Sequence, residues 1–132
     1  RRIELCAFFG AYLLSSINLP ESLNSIGTCA FLDCRSLRSV KIPSLVTVIS
    51  ASCFSDCIGL RSVELPDTCT SIEKQAFKEC THLRQVDLGK GIKTIGFNAF
   101  INNVSLKSIT INKGDTLERN AFDKDIQLKR IK

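Results

Sequence analysis

The chain has 132 residues, 44% hydrophobic and 23% charged, enough for one globular domain and without disordered or collagen-like bias. Its most apolar stretch, Leu5 to Leu14, falls short of the roughly 18 residues of a membrane-spanning helix and has no signal-peptide cleavage site. The net charge of +5 permits an anionic partner without demanding one.

The sequence matches itself when shifted by 23 residues. Ile3, Ile26, Ile49, Ile72 and Ile95 open five units. Four residues on come Ala7-Phe8, Ala30-Phe31, Cys53-Phe54, Ala76-Phe77 and Ala99-Phe100. This stretch is too short for a lasting helix, and a helical turn or 3-10 piece is expected. A leucine column follows (Leu14, Leu37, Leu60, Leu83, Leu106), then an alternating pair such as Val40 and Ile42, which predicts a short strand. Pro20, Pro43 and Pro66 end that strand, with Gly89 and Asn112 in the same place. A second pair, Val46 and Val48 or Ile92 and Thr94, predicts a second short strand. A partial sixth unit runs from residue 117. Leu117, Ala121-Phe122, Leu128 and Ile131 read as one residue early.

One unit cannot bury its own apolar face, whereas stacked units turn each apolar position into an internal ladder. The expected fold is therefore a β-rich solenoid of about 23 residues per coil. Parallel strands about 4.8 Å apart would give a core on the order of 25–30 Å long. The phenylalanine column (Phe8, Phe31, Phe54, Phe77, Phe100, Phe122) becomes a stacked spine.

The unit I-x-x-x-A-F-x-x-C-x-x-L-x-x-V-x-I-P resembles the BspA-like leucine-rich repeat family over residues 3 to 132. It departs from the commoner leucine-rich consensus, whose asparagine is replaced by Leu45, Thr68 and Gly91. The resemblance implies a right-handed, curved leucine-rich repeat solenoid and a recognition role, often adhesion to host matrix or cells. It also implies a cell-surface or secreted location. It carries no catalytic residues and no cofactor.

All seven cysteines fall in repeat columns. Cys34, Cys57 and Cys80 share one, Cys6 and Cys29 another, and Cys53 and Cys69 replace apolar residues. They read as small buried apolar side chains with free thiols. A line of thiols cannot converge tetrahedrally on a metal, so no metal site is expected. Free thiols favour the alternative location, the cytoplasm, and an intracellular scaffold or regulatory subunit. His82, the lone histidine, stands in the variable column of Ser36, Gly59 and Ser105 and reads as a solvated turn residue. Asn103-Val104-Ser105 is a formal glycosylation sequon, but Asn103 occupies the cysteine column and reads as a cap on buried backbone.

The charged columns suggest a surface. Arg38, Arg61, Arg84, Lys107 and Lys129 form a basic stripe before the first strand. Asp33, Asp56 and Glu79 form an acidic column able to neutralise part of it. Lys41, Glu64, Asp87, Thr110 and Lys132 form a mixed column beside the strand. The partner-binding residues expected are Arg38, Arg61, Arg84, Lys107, Lys129, Lys41, Glu64 and Asp87. The partner would be a protein or an anionic matrix or glycan. Nucleic acid is disfavoured, because Tyr12 is the only tyrosine, tryptophan is absent and the phenylalanines face inward. Neither end shows a polar cap, so a fragment of a longer array and end-to-end self-association are further expectations.

Overall fold

The computed structural model describes residues 1–131. Its eleven strands are β1 (Arg2–Ile3), β2 (Ser25–Ile26), β3 (Ser39–Lys41), β4 (Val48–Ile49), β5 (Ser62–Glu64) and β6 (Ser71–Ile72), then β7 (Gln85–Asp87), β8 (Thr94–Ile95), β9 (Ser108–Asn112), β10 (Thr116–Leu117) and β11 (Gln127–Ile131). Every pairing is parallel and joins one coil to the next. β3, β5 and β7 form one sheet, continued by the β9–β11 pair; β4, β6, β8 and β10 form another. Val40 pairs with Val63 and Val63 with Val86, the 23-residue period of the sequence. The chain is a parallel β-solenoid.

Between the two strand rows, the interior is filled by like side chains in register. Phe31, Phe54 and Phe77 are fully buried, with the leucine and isoleucine columns around them. Successive phenylalanine rings from Phe8 to Phe122 stack nearly parallel, with centroids 5.0 to 5.3 Å apart. That spacing matches an offset stack, which adds about 0.5–1.5 kcal/mol per pair beyond burial.

The A-F segment is a run of turns and contains no helical piece. Alternate amides close three-residue turns: Ala30 N–H donates to Gly27, Leu32 to Cys29 and Cys34 to Phe31. The intervening amides bond across to the next coil: Cys29 to Ala51, Phe31 to Cys53 and Asp33 to Ser55. A helix would need all of these donors for itself. Two left-handed residues per coil produce the alternation, with φ near +60° at Cys29 and Asp33 and at their counterparts along the chain. Asn98, Asn102 and Asn120 suit this region best, being short polar residues that tolerate it. The acidic column of Asp33, Asp56 and Glu79 is thus a turn position.

The last coil is shorter than its side chains suggest. Ile95 pairs with Leu117 and Phe100 with Phe122, an offset of 22. Ser108 then pairs with Gln127 and Ile109 with Leu128, an offset of 19. Leu128 therefore leaves the leucine column and joins the strand column of Val40. Ile126 takes the place of Leu106, its amide donating to Asp123 as that of Leu106 does to Asn103. Lys129 moves with Leu128. It pairs with Thr110 and leaves the basic stripe for the column of Lys41, Glu64 and Asp87. Lys132, assigned to that column from sequence, lies outside the described residues.

The cysteines also divide. Cys34, Cys53, Cys57, Cys69 and Cys80 are buried, whereas Cys6 is exposed and Cys29 half-buried. The last two stand at left-handed turn positions, which face outward, so that column is not core.

Candidate functional site

In β3, β5 and β7 the middle residue points inward and its neighbours point out, as the two-residue period of a strand requires, and Ile109 of β9 and Leu128 of β11 take the same inward place. Two outward columns result. One is Ser39, Ser62, Gln85, Ser108 and Gln127; the other is Lys41, Glu64, Asp87, Thr110 and Lys129. From β3 to β9 they floor a groove of ≈ 590 Å³ whose lining includes Ser62, Glu64, Arg84, Gln85, Asp87 and Thr110.

The charges along this face are arranged in blocks. Lys41 is followed by Glu64 and Asp87, then by neutral Thr110 and by Lys129. Lys41 Nζ and Glu64 Oε2 lie 4.0 Å apart and are both well exposed, so water screens the pair to a fraction of its Coulomb value. Asp87 Oδ1 accepts the Gly89 amide at 3.0 Å, which pins its carboxylate at the end of β7.

The basic column now contains Arg38, Arg61, Arg84 and Lys107, all exposed. Its backbones are laced together: Arg61 N–H donates to Arg38 at 2.7 Å and Arg84 to Arg61 at 2.9 Å. Neutralisation by the acidic column is not seen. The described ion pairs are Arg2–Glu4, Arg35–Asp33 and Lys41–Glu64, and none involves this column. Asp33 serves Arg35, Asp56 accepts from Ser55, and Glu79 accepts from Asn102. Lys107 Nζ donates to the Val104 carbonyl at 2.8 Å.

Below the strand face the sequence reading missed a depression of ≈ 240 Å³, lined by Arg35, Ser36, Arg38, Gly59, Arg61 and His82 with Ile58. It arises in the variable column. Ser36 Oγ, His82 Nδ1 and Ser105 Oγ each donate to a carbonyl of the preceding coil, on Tyr12, Ile58 and Thr81. Gly59 has no side chain to do so, and an added Cβ would overlap the Arg35 carbonyl oxygen. The legible signal was this glycine in a column of hydrogen-bonding side chains, with Arg35 one residue earlier in the preceding coil.

His82 is exposed, as expected for a turn residue, with Nδ1 2.8 Å from the Ile58 carbonyl oxygen. Asn103 is 2% exposed. Its Nδ2 donates to the Phe77 carbonyl at 3.0 Å, in the role that Cys57 and Cys80 thiols play toward Phe31 and Phe54. Its amide nitrogen is committed to the core, which blocks glycan attachment in the folded chain. No group of three or more histidine, cysteine, aspartate or glutamate side chains is placed to hold a metal among the described residues. No described helix is long and apolar enough to cross a membrane.

Three solved structures share this architecture. The leucine-rich repeat protein of T. pallidum is 31% identical over 80% of this chain and 50% of its own, with a TM-score of 0.73. A leucine-rich cell-surface protein from Faecalibacterium prausnitzii is 29% identical over 92% of this chain and 42% of its own, with a TM-score of 0.65. A leucine-rich repeat protein from Eubacterium ventriosum is 29% identical over 91% of this chain and 33% of its own, with a TM-score of 0.85. The chain thus spans half or less of each of these proteins. No curated protein matches it. Six copies of the BspA type leucine rich repeat match residues 1–129, and the chain belongs to that family.

Proposed function

We propose that the chain is a non-enzymatic recognition module that binds a protein partner across the outer face of β3, β5, β7, β9 and β11. The observation that carries this is the contrast between columns. The inward columns repeat nearly the same apolar residue in every coil, as packing demands. The outward column beside them changes charge from Lys41 to Glu64 and Asp87, then to Thr110 and Lys129, which packing does not demand. Such a pattern selects a partner by electrostatic complementarity. The Faecalibacterium prausnitzii neighbour, a cell-surface protein, supports adhesion at a cell surface as the setting.

The test is direct binding of the chain to a panel of matrix and host-surface proteins by surface plasmon resonance. Glu64→Lys with Asp87→Lys should weaken the interaction at least tenfold, mainly through faster dissociation. Binding unchanged by that double reversal would remove the strand face from the interaction.

A second reading, an intracellular scaffold using the same face, is favoured by one observation: all seven cysteines are unpaired thiols. An export signal in the complete gene product would decide against it.

A further inference from the structure

We propose that the depression between Arg35, Arg38, Arg61 and His82 binds a sulfate group of a linear sulfated glycan, with Arg84 and Lys107 holding the groups that follow. The proposal rests on the reading that this side of the solenoid recognises a partner, and it names a second ligand class beside the strand face.

Three arginines line the depression. Arg38 and Arg61 are exposed and have no carboxylate within ion-pair distance among the described residues. Arg35 is oriented by its 2.8 Å bond from Nε to Asp33 Oδ1, which leaves its terminal nitrogens to donate elsewhere. The Ile58 carbonyl can only accept, so His82 Nδ1 carries the proton in that bond and Nε2 is the free ring nitrogen. At Gly59 the backbone lies too close to the Arg35 carbonyl for any side chain, so this coil adds none to the floor. A cavity of ≈ 240 Å³ lined by Arg35, Arg38 and Arg61 suits a compact oxyanion.

The ligand must also be linear. From Arg61 the basic column runs on through Arg84 to Lys107, one cation per coil, at the roughly 4.8 Å spacing of paired strands. A single small anion would satisfy the depression and leave that row idle. Arginine is weakly hydrated and forks its donors, which favours a weakly hydrated sulfate ester. Nucleic acid, the other linear polyanion, fits less well. The Arg35 guanidinium takes one face of the Tyr12 ring, 5.3 Å from its centroid, and although Phe9 is exposed, contrary to the inward placement expected of the phenylalanines, no phenylalanine or tyrosine lines the depression itself.

Isothermal titration calorimetry of the chain with a heparin-type oligosaccharide, its desulfated counterpart and a single-stranded RNA tests the idea. Saturable binding of the sulfated ligand alone is expected. Arg38→Ala and Arg61→Ala should each lower its affinity about tenfold, with Arg61→Lys intermediate. Lys74→Ala and Lys93→Ala, beside the second strand row, should leave it unchanged. Equal binding of the desulfated sugar, indifference to Arg38→Ala and Arg61→Ala, no binding at all, or RNA binding as tightly would each overturn the proposal. Glu64→Lys with Asp87→Lys separates it from the protein-partner reading. That variant should lose the protein and keep the glycan, and a wild-type chain that binds the protein partner but no glycan would overturn this proposal and leave the protein reading standing.

Discussion

Buried cysteine is cheap when its thiol finds a carbonyl. Cys34, Cys57 and Cys80 donate to Phe8, Phe31 and Phe54 at 3.1 to 3.2 Å, closing a polar group that the turn leaves inside the core. Asn103 does the same for Phe77 but leaves its own Oδ1 buried and without a partner. An unpaired buried acceptor costs about 1–3 kcal/mol. Asn103→Cys should therefore stabilise the chain by about 1 kcal/mol, and Asn103→Ala should destabilise it by orphaning the Phe77 carbonyl. Urea unfolding of the two variants gives both signs. Burial also pushes the thiols up: Cys69 to about 11, and Cys53, Cys57 and Cys80 further. In native protein only Cys6 and Cys29 should react promptly with a thiol reagent, and all seven after unfolding. More than two fast thiols would contradict the burial pattern. The raised thiols link stability to pH. Below 9.0 the Cys69 contribution is fully present. Above it the unfolded chain releases this proton while the folded chain holds it, so stability falls until pH passes about 11. Cys69→Val, which restores the residue type of Val46 in that column, should flatten part of this decline in a pH series of denaturant midpoints.

At the scale of the element, each coil is too small to be an independent unit. Its strands are two to five residues long, and its turns donate every second amide to the neighbour. Stability therefore lies in the interfaces between coils, of which the aromatic spine is the centre. Phe54→Ala, in a fully enclosed position, should cost about 3–5 kcal/mol. Phe8→Ala should cost less, because that ring is only half-buried. Equal losses in thermal or chemical unfolding would argue that the spine is not packed as described. The turns were the least legible elements. Short apolar spacing in A-F suggested a helical piece, and nothing in residue type announced left-handed geometry at Cys29 or Ser52. That geometry is imposed by hydrogen bonding to the next coil, a contact between residues far apart in sequence.

For the whole molecule, a stack of like coils behaves as a one-dimensional array, each layer held by its neighbours. Amide exchange should be slowest from Phe31 to Leu83, where both faces of a coil are covered, and faster in the first and last coils of the chain. Uniform protection along the chain would instead mean all-or-none opening. The same regularity builds long surface columns, so recognition follows from which charges occupy successive coils. Arg61 and Glu64 lie on one coil and face different ligands in the two readings above, which is why separate variants can uncouple them.

The 23-residue period, the inward apolar columns and the strand register through β9 were determined by residue type alone, because burial selects apolar side chains and a repeat imposes one register on all of them. Three features waited for the tertiary structure: the offset of the last coil, the outward side of Cys6 and Cys29, and the depression at Gly59. Each depends on how backbone hydrogen bonds close between coils. Lys129 shows the consequence. By side-chain pattern it belonged with Arg38, but four residues lost within one turn carried it across to the column of Glu64. Pattern matching follows the side chains, whereas the ladder follows the amides.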